Sequence, residues 1–234
     1  MNAAASSGAS AAASALQTHG WWLASRASGL VALVLVTISV GLGLAMAGKV
    51  MRRPGLSRKL MAIHEQTALA GLVAIAVHGI TLLGDPWLHP GVSGVTVPFA
   101  IGYRPLATGL GIVGGYLAAL LGLSYYLRRR IGARLWRRAH RATAVVYVLG
   151  LAHAFTAGTD ASTVWFRWWV LMTAPVIGGL FVYRAFSGAA KKAGARAGRA
   201  HEGARERLGA GEPAPPVRRE RGPHVRPIPA TEEA

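Results

Sequence analysis

The side chains best equipped for chemistry in this sequence are four histidines, carried in pairs by two apolar stretches. Leu60 to Leu83 holds His64 and His78 with thirteen residues between them, and Ala139 to Ala157 holds His140 and His153 with twelve between. At an α-helical rise of about 1.5 Å per residue both intervals measure roughly 20 Å, most of the depth of a bilayer core of about 30 Å. Each helix then offers one imidazole near each membrane face. Ionisable groups at that depth are costly and normally face the bundle interior with a partner. A single histidine of this kind is often only a hydrogen-bonded packing residue. Four at matched depths ask for more, and two haems, each with two axial imidazoles, supply it, because neutral imidazole is a common axial ligand of haem iron. The chemistry would be one-electron transfer. The second helix carries a difficulty: thirteen positions of ideal helix turn the face by about 140°, so His140 and His153 share no stripe. Either the helix is distorted or the two sites are approached from different sides.

The elements that must position these residues are membrane spans. With 234 residues, 52% hydrophobic content and a mean hydropathy of +0.35, the chain is too apolar for an ordinary soluble domain. It contains no cysteine, so disulfides, thiolate metal sites and cysteine-held iron–sulfur clusters are excluded. The net charge of +17 suggests nucleic acid only until its distribution is read. The positive charges cluster between apolar runs, as cytoplasmic loops require, and no nucleic-acid partner is expected.

Residues 1–20 are Ala/Ser-rich and read as a disordered N-terminus. A first span runs from Trp21 to Ala47, followed by a basic loop with Lys49, Arg52, Arg53, Arg58 and Lys59. The first histidine stretch is the second span, ending at Gly84-Asp85-Pro86. Residues 85–104 carry one acid and one base, which suits an outer loop. A third span covers Leu106 to about Leu127, and the loop beyond it holds Arg128, Arg129, Arg130, Arg134, Arg137, Arg138 and Arg141. The second histidine stretch is the fourth span, and Trp165 to Phe186, with a kink expected at Pro175, is the fifth. From 188 to 234 the chain turns basic and Pro-rich, reading as a disordered cytoplasmic tail whose charge suits anionic lipid heads. The fold class expected is therefore an all-α integral membrane protein of five transmembrane helices, N-terminus outside and C-terminus cytoplasmic, with disordered termini. Its domain is 21–187. By depth, His64 stands level with His140 near the inner face and His78 with His153 near the outer.

Arg137, Arg138 and Arg141 beside His140 are candidates to pair with haem propionates, although the loop needs its charge for topology anyway. Gly71, Gly79 and Gly150 leave room for a flat macrocycle, or serve helix packing. Tyr147, seven residues after His140, shares its face as an electron-path or packing residue. Gly109-Leu110-Gly111-Ile112-Val113-Gly114 matches a dinucleotide fingerprint by letter, but it has no preceding strand and lies inside a span, so helix packing is the better reading.

The stretch from Arg26 through Phe186 resembles the ferric-reductase-like transmembrane domain shared by ferric reductases, NADPH oxidases and the haem membrane subunit of bacterial methionine sulfoxide reductase. The 14-residue offset of His64 and His78 and the 13-residue offset of His140 and His153 match that superfamily's ligand spacing. The resemblance implies that His64 pairs with His140 and His78 with His153 around two b-type haems. It also implies a place for Arg26 near the outer haem. The chain departs from its larger relatives in having only 48 residues after Phe186, so FAD and NAD(P)H sites are not expected in it. A further N-terminal helix of those relatives is absent, and Leu82 stands where the oxidases carry a second outer histidine, which makes superoxide production a poorer expectation than reduction of a metal ion or partner protein. The function expected is a multi-pass dihaem cytochrome of a bacterial cell membrane, an oxidoreductase component without its own flavin domain. It would take electrons from a cytoplasmic flavoprotein or quinol and pass them to an acceptor outside. A reading from a different class stays open: a non-redox transporter or assembly subunit whose histidines carry protons or bind one metal.

Overall fold

The computed structural model describes residues 2–48 and 55–209, with side chains described for 19–48, 55–187 and 194–204. Every regular element among them is helical: α1 (Asn2–Gly48), α2 (Leu56–Leu82), α3 (Gly91–Thr96), α4 (Pro105–Ile131), α5 (Ala133–Ala139), α6 (Thr143–Thr156) and α7 (Val164–Gly209). Two 3₁₀ turns, His140–Ala142 and Thr159–Ser162, flank α6. The chain divides into two units at Ser187, and the second, from Gly188, is helical through Gly209.

Local chemistry sets the boundaries. Gly55 precedes α2 at φ 80°, a left-handed conformation that a Cβ would strain. After α2 the Asp85 carboxylate accepts hydrogen bonds from the backbone N–H groups of Trp87 (2.9 Å) and Leu88 (3.0 Å), an Asx-type turn that reverses the chain. Pro105 opens α4 at a position where its missing N–H costs nothing. Gly132, at φ 88°, closes it.

Among the described residues, four stretches are long and apolar enough to cross a membrane: His19–Gly48, Leu56–Leu82, Pro105–Ile131 and Val164–Ser187. Their outward faces are apolar, with Val73, Leu120 and Leu171 each more than half exposed, the inverse of a water-soluble bundle. Most of the core is small and aliphatic, with Ala32, Leu33, Ala74, Leu121 and Val146 among its residues and Tyr147 and Phe166 as its aromatics. Without a hydrophobic force between helices in lipid, such side chains hold a bundle by close approach. The most extensive contacts join α1 to α2 and α4 to α6.

Two elements differ from the sequence reading. The stretch Ala139 to Ala157 is not one helix: it breaks into a 3₁₀ turn at His140–Ala142, leaving α6 only 14 residues long and outside the four candidate spans. The Thr143 hydroxyl donates to the His140 carbonyl (2.8 Å), a local bond of the kind that competes with regular helix. Helix also extends beyond both ends of the expected membrane domain, from Asn2 and through Gly209. Ala in the first stretch and Ala, Lys, Arg and Glu in the second are strong helix formers. The expected disorder of residues 210–234 lies outside the described residues. α7 continues through Pro175 as a single helix.

Candidate functional site

α1 and α2 run antiparallel, which sets Ser25 opposite His78 and Ser39 opposite His64. His78 Nδ1 lies 2.8 Å from the Ser25 carbonyl, and His64 Nδ1 lies 2.9 Å from the Ser39 carbonyl. A carbonyl only accepts, so Nδ1 carries the proton in both rings and Nε2 is left with a free lone pair. Each serine hydroxyl lies 3.1 Å from the same Nδ1 and reaches back to the carbonyl of the same histidine. Four residues further along α1, Gly29 and Gly43 provide space for the rings: a Cβ there would stand 3.0 Å from His78 Nδ1 and 3.3 Å from His64 Cε1. α1 thus carries the pattern Ser-x-x-x-Gly twice, at the 14-residue interval that separates the two histidines of α2. α2 repeats His-x-x-Thr at that interval, with Thr67 and Thr81 each bonded to the carbonyls one turn back at 2.8 and 3.1 Å.

The other two imidazoles come from the broken helix. His153 Nδ1 bonds to the Ala107 carbonyl of α4 at 2.9 Å, and Gly111 of α4 gives it room, since a Cβ there would come within 2.6 Å of the ring. His140 lies in the 3₁₀ turn, where the tighter geometry matters. Three steps at about 2.0 Å and 120° replace three at 1.5 Å and 100°. That lengthens the His140–His153 interval to about 21 Å, equal to fourteen residues of regular α-helix in α2, and recovers about 60° of the 140° rotation. The distortion thus matches the rise of the two helices and removes a little under half of the rotational offset.

The result is two facing imidazole pairs. His64 and His140 have ring centroids 6.1 Å apart with planes at 90°, and His78 and His153 are 6.2 Å apart at 74°. Two imidazoles bound on opposite sides of one metal ion through bonds of about 2.0 Å have centroids roughly 6 Å apart. These residues therefore fit haem, which brings four nitrogens of its own and asks the protein for two axial ligands. Among the described residues no group of three or more His, Asp or Glu converges.

The remaining sequence candidates are placed as follows. Arg26 pairs with Asp160 in a two-pronged contact, Nε to Oδ2 at 2.8 Å and Nη2 to Oδ1, with its guanidinium also over the Trp22 ring. This ties α1 to the turn between α6 and α7. Arg104 donates to the Thr156 carbonyl and Arg167 to the Ala161 carbonyl, so the basic residues at the His78 end are each engaged separately. Beside them an open cleft of about 300 Å³ is lined in part by Tyr103, Arg104, Phe155 and Ser162. Arg137 and Arg141 are exposed on either side of His140, as is Arg138. Tyr147 is buried in the core. Gly71, Gly79 and Gly150 face Leu35, Val95 and Leu33, which makes them packing glycines. The run Gly109 to Gly114 also serves packing: Gly109 lies under the Phe99 ring, Gly111 under His153 and Gly114 against Leu149.

Sequence reasoning passed over Ser25, Gly29, Ser39, Gly43, Gly111 and Trp136. The doubled Ser-x-x-x-Gly spacing was a usable signal for four of them. The carbonyl of Ala107 leaves no trace in a sequence.

Among known protein families, the chain matches the one described as ferric reductase like transmembrane component, over residues 27–151. The matched stretch contains His64, His78 and His140 and ends two residues before His153. No match was found among curated proteins or solved structures.

Proposed function

This chain belongs to the ferric-reductase-like transmembrane family, a multi-pass membrane protein, and from that premise we propose that it is a dihaem b-type cytochrome carrying electrons singly across the cell membrane. The observation that carries this reading is the pair of facing imidazole couples, at 6.1 and 6.2 Å. His64 and His140 hold one haem, and His78 and His153 hold the other. Bound there, haem supplies a one-electron ferric/ferrous couple. The protein's part is orientation. The carbonyls of Ser25, Ser39 and Ala107 keep three imidazoles in the Nδ1–H tautomer, which leaves Nε2 as the nitrogen free to bind iron. Gly29, Gly43 and Gly111 make room for the rings themselves. Arg137 and Arg141 are the candidates to meet propionates at the inner site, and Arg26 braces the outer one through Asp160. The donor is a cytoplasmic flavoprotein or a quinol, and the acceptor is a ferric ion or partner protein outside.

Absorbance spectroscopy tests this directly. The purified chain is expected to carry two low-spin haems b, reducible by dithionite. A colourless, fully folded protein overturns the reading and favours a transporter or assembly role.

The proposed topology has five crossings, N-terminus outside, with the fourth made by the 3₁₀ turn and α6 together. It rests on the arginines of 128–141 lying at the end opposite Asp160. The absence of native cysteine makes this easy to check. A single cysteine placed at exposed Ser162 is expected to react with an impermeant maleimide in intact cells, and one at exposed Ala133 only after lysis. The reverse pattern inverts the topology.

A further inference from the structure

Three of the four imidazoles are fixed by a backbone carbonyl at Nδ1, and the fourth is not. His140 Nδ1 is buried without a hydrogen-bond partner; the Leu121 carbonyl approaches it without reaching hydrogen-bond geometry. His140 is also the one histidine of the four with an aromatic ring stacked on it. Trp136, one helical turn earlier in the middle of α5, stacks on it with centroids 4.8 Å apart and planes at 22°. The indole is itself clamped. Tyr125 of α4 meets it edge-on at 5.9 Å, and Arg128 lies over the Tyr125 ring, its guanidinium carbon 3.8 Å from the ring centre and its Nη1 donating to the Tyr125 carbonyl at 2.9 Å. Trp136 Nε1 is buried with no partner. A tryptophan normally uses that N–H when buried; here the position is set by the ring face alone.

We propose that Trp136 is the positioning residue of the inner imidazole pair, holding the His140 ring by stacking where the other three rings are held by hydrogen bonds. The role rests on the dihaem reading and extends it. It follows that a ring at 136 matters and its N–H does not. It also follows that the inner site depends on Trp136 while the outer site is indifferent to it, since His78 and His153 are held from α1 and α4.

The test is electron paramagnetic resonance of the full-length chain, where the two low-spin ferric centres report the orientation of their own imidazoles. Trp136→Ala is expected to shift or broaden one of the two signals, leave the other unchanged, and weaken haem retention at that site roughly 10–100-fold, the usual range for losing a supporting partner. Trp136→Phe is expected to restore the signal, because stacking survives while the unused N–H is lost. Two unchanged signals in Trp136→Ala overturn the proposal and leave the dihaem reading intact. Loss of both signals in both variants also overturns it, assigning Trp136 to the fold as a whole. A wild-type chain with no haem signal overturns both this role and the reading beneath it.

Discussion

Replacing His78 with alanine is expected to lower the haem content from two per chain to one and to abolish electron delivery to an impermeant acceptor outside, while dithionite still reduces the haem that remains. The effect should exceed the roughly 10–100-fold that loss of a mere supporting partner costs, because an axial ligand itself is gone. The geometry explains why the loss is local. His78 is held by the Ser25 carbonyl and the space at Gly29, and His64 by the separate set of Ser39 and Gly43, about 21 Å away along the helix. His153→Ala is expected to give the same spectrum as His78→Ala, because the two serve one centre. Haem titration by pyridine haemochrome and stopped-flow reduction of ferricyanide check both statements. If the two variants instead lose different centres, the pairing of α2 with the broken helix is wrong.

The four histidines were legible because their depth is a matter of counting, and depth is what a helix conserves between sequence and structure. The apolar runs marking α1, α2, α4 and α7 were legible for the same reason: each is long enough to show above composition. The stretch holding His140 was harder. Thirteen residues against fourteen looks like a mismatch until three of them tighten into a 3₁₀ turn, and the hydroxyl of Thr143 that supports the turn has nothing in its sequence context to announce it. Arg26 could be singled out as a cation near one end of the bundle, but its partner Asp160 is 134 residues away, and only the fold shows the two in contact. Gly71 illustrates the opposite limit. Its place midway between two histidines suggested room for a ring, yet the face it shares with them is the one packed on α1, where it meets Leu35 and Val36. The terminal stretches show that helix propensity and burial are separate questions: residues 194–204 are helical and almost wholly exposed.

The doubled register of α1 makes a second large effect testable, and in crossed form. Gly29 faces His78, and Gly43 faces His64. An ideal Cβ at either position already sits 3.0 to 3.3 Å from an imidazole atom, tighter than ordinary van der Waals contact. A leucine there has further carbons that the gap does not hold, and overpacking typically costs about 1–3 kcal/mol when the surroundings must shift. The part able to shift is the imidazole, since the α1 and α2 backbones are pinned along their length by Ala32, Leu33, Gly71 and Ala74. Gly29→Leu is therefore expected to lose the outer haem and keep the inner, while Gly43→Leu loses the inner and keeps the outer. Each variant carries its own control, because the retained haem shows that the bundle has formed. Gly29→Ala is the graded case: a single methyl group at 3.0 Å should shift the outer haem's spectrum without ejecting it. The order of effects along the chain is then the reverse of the order of the histidines, the earlier glycine governing the later histidine, as antiparallel packing of α1 on α2 requires. Loss of the same haem in both leucine variants would refute that register.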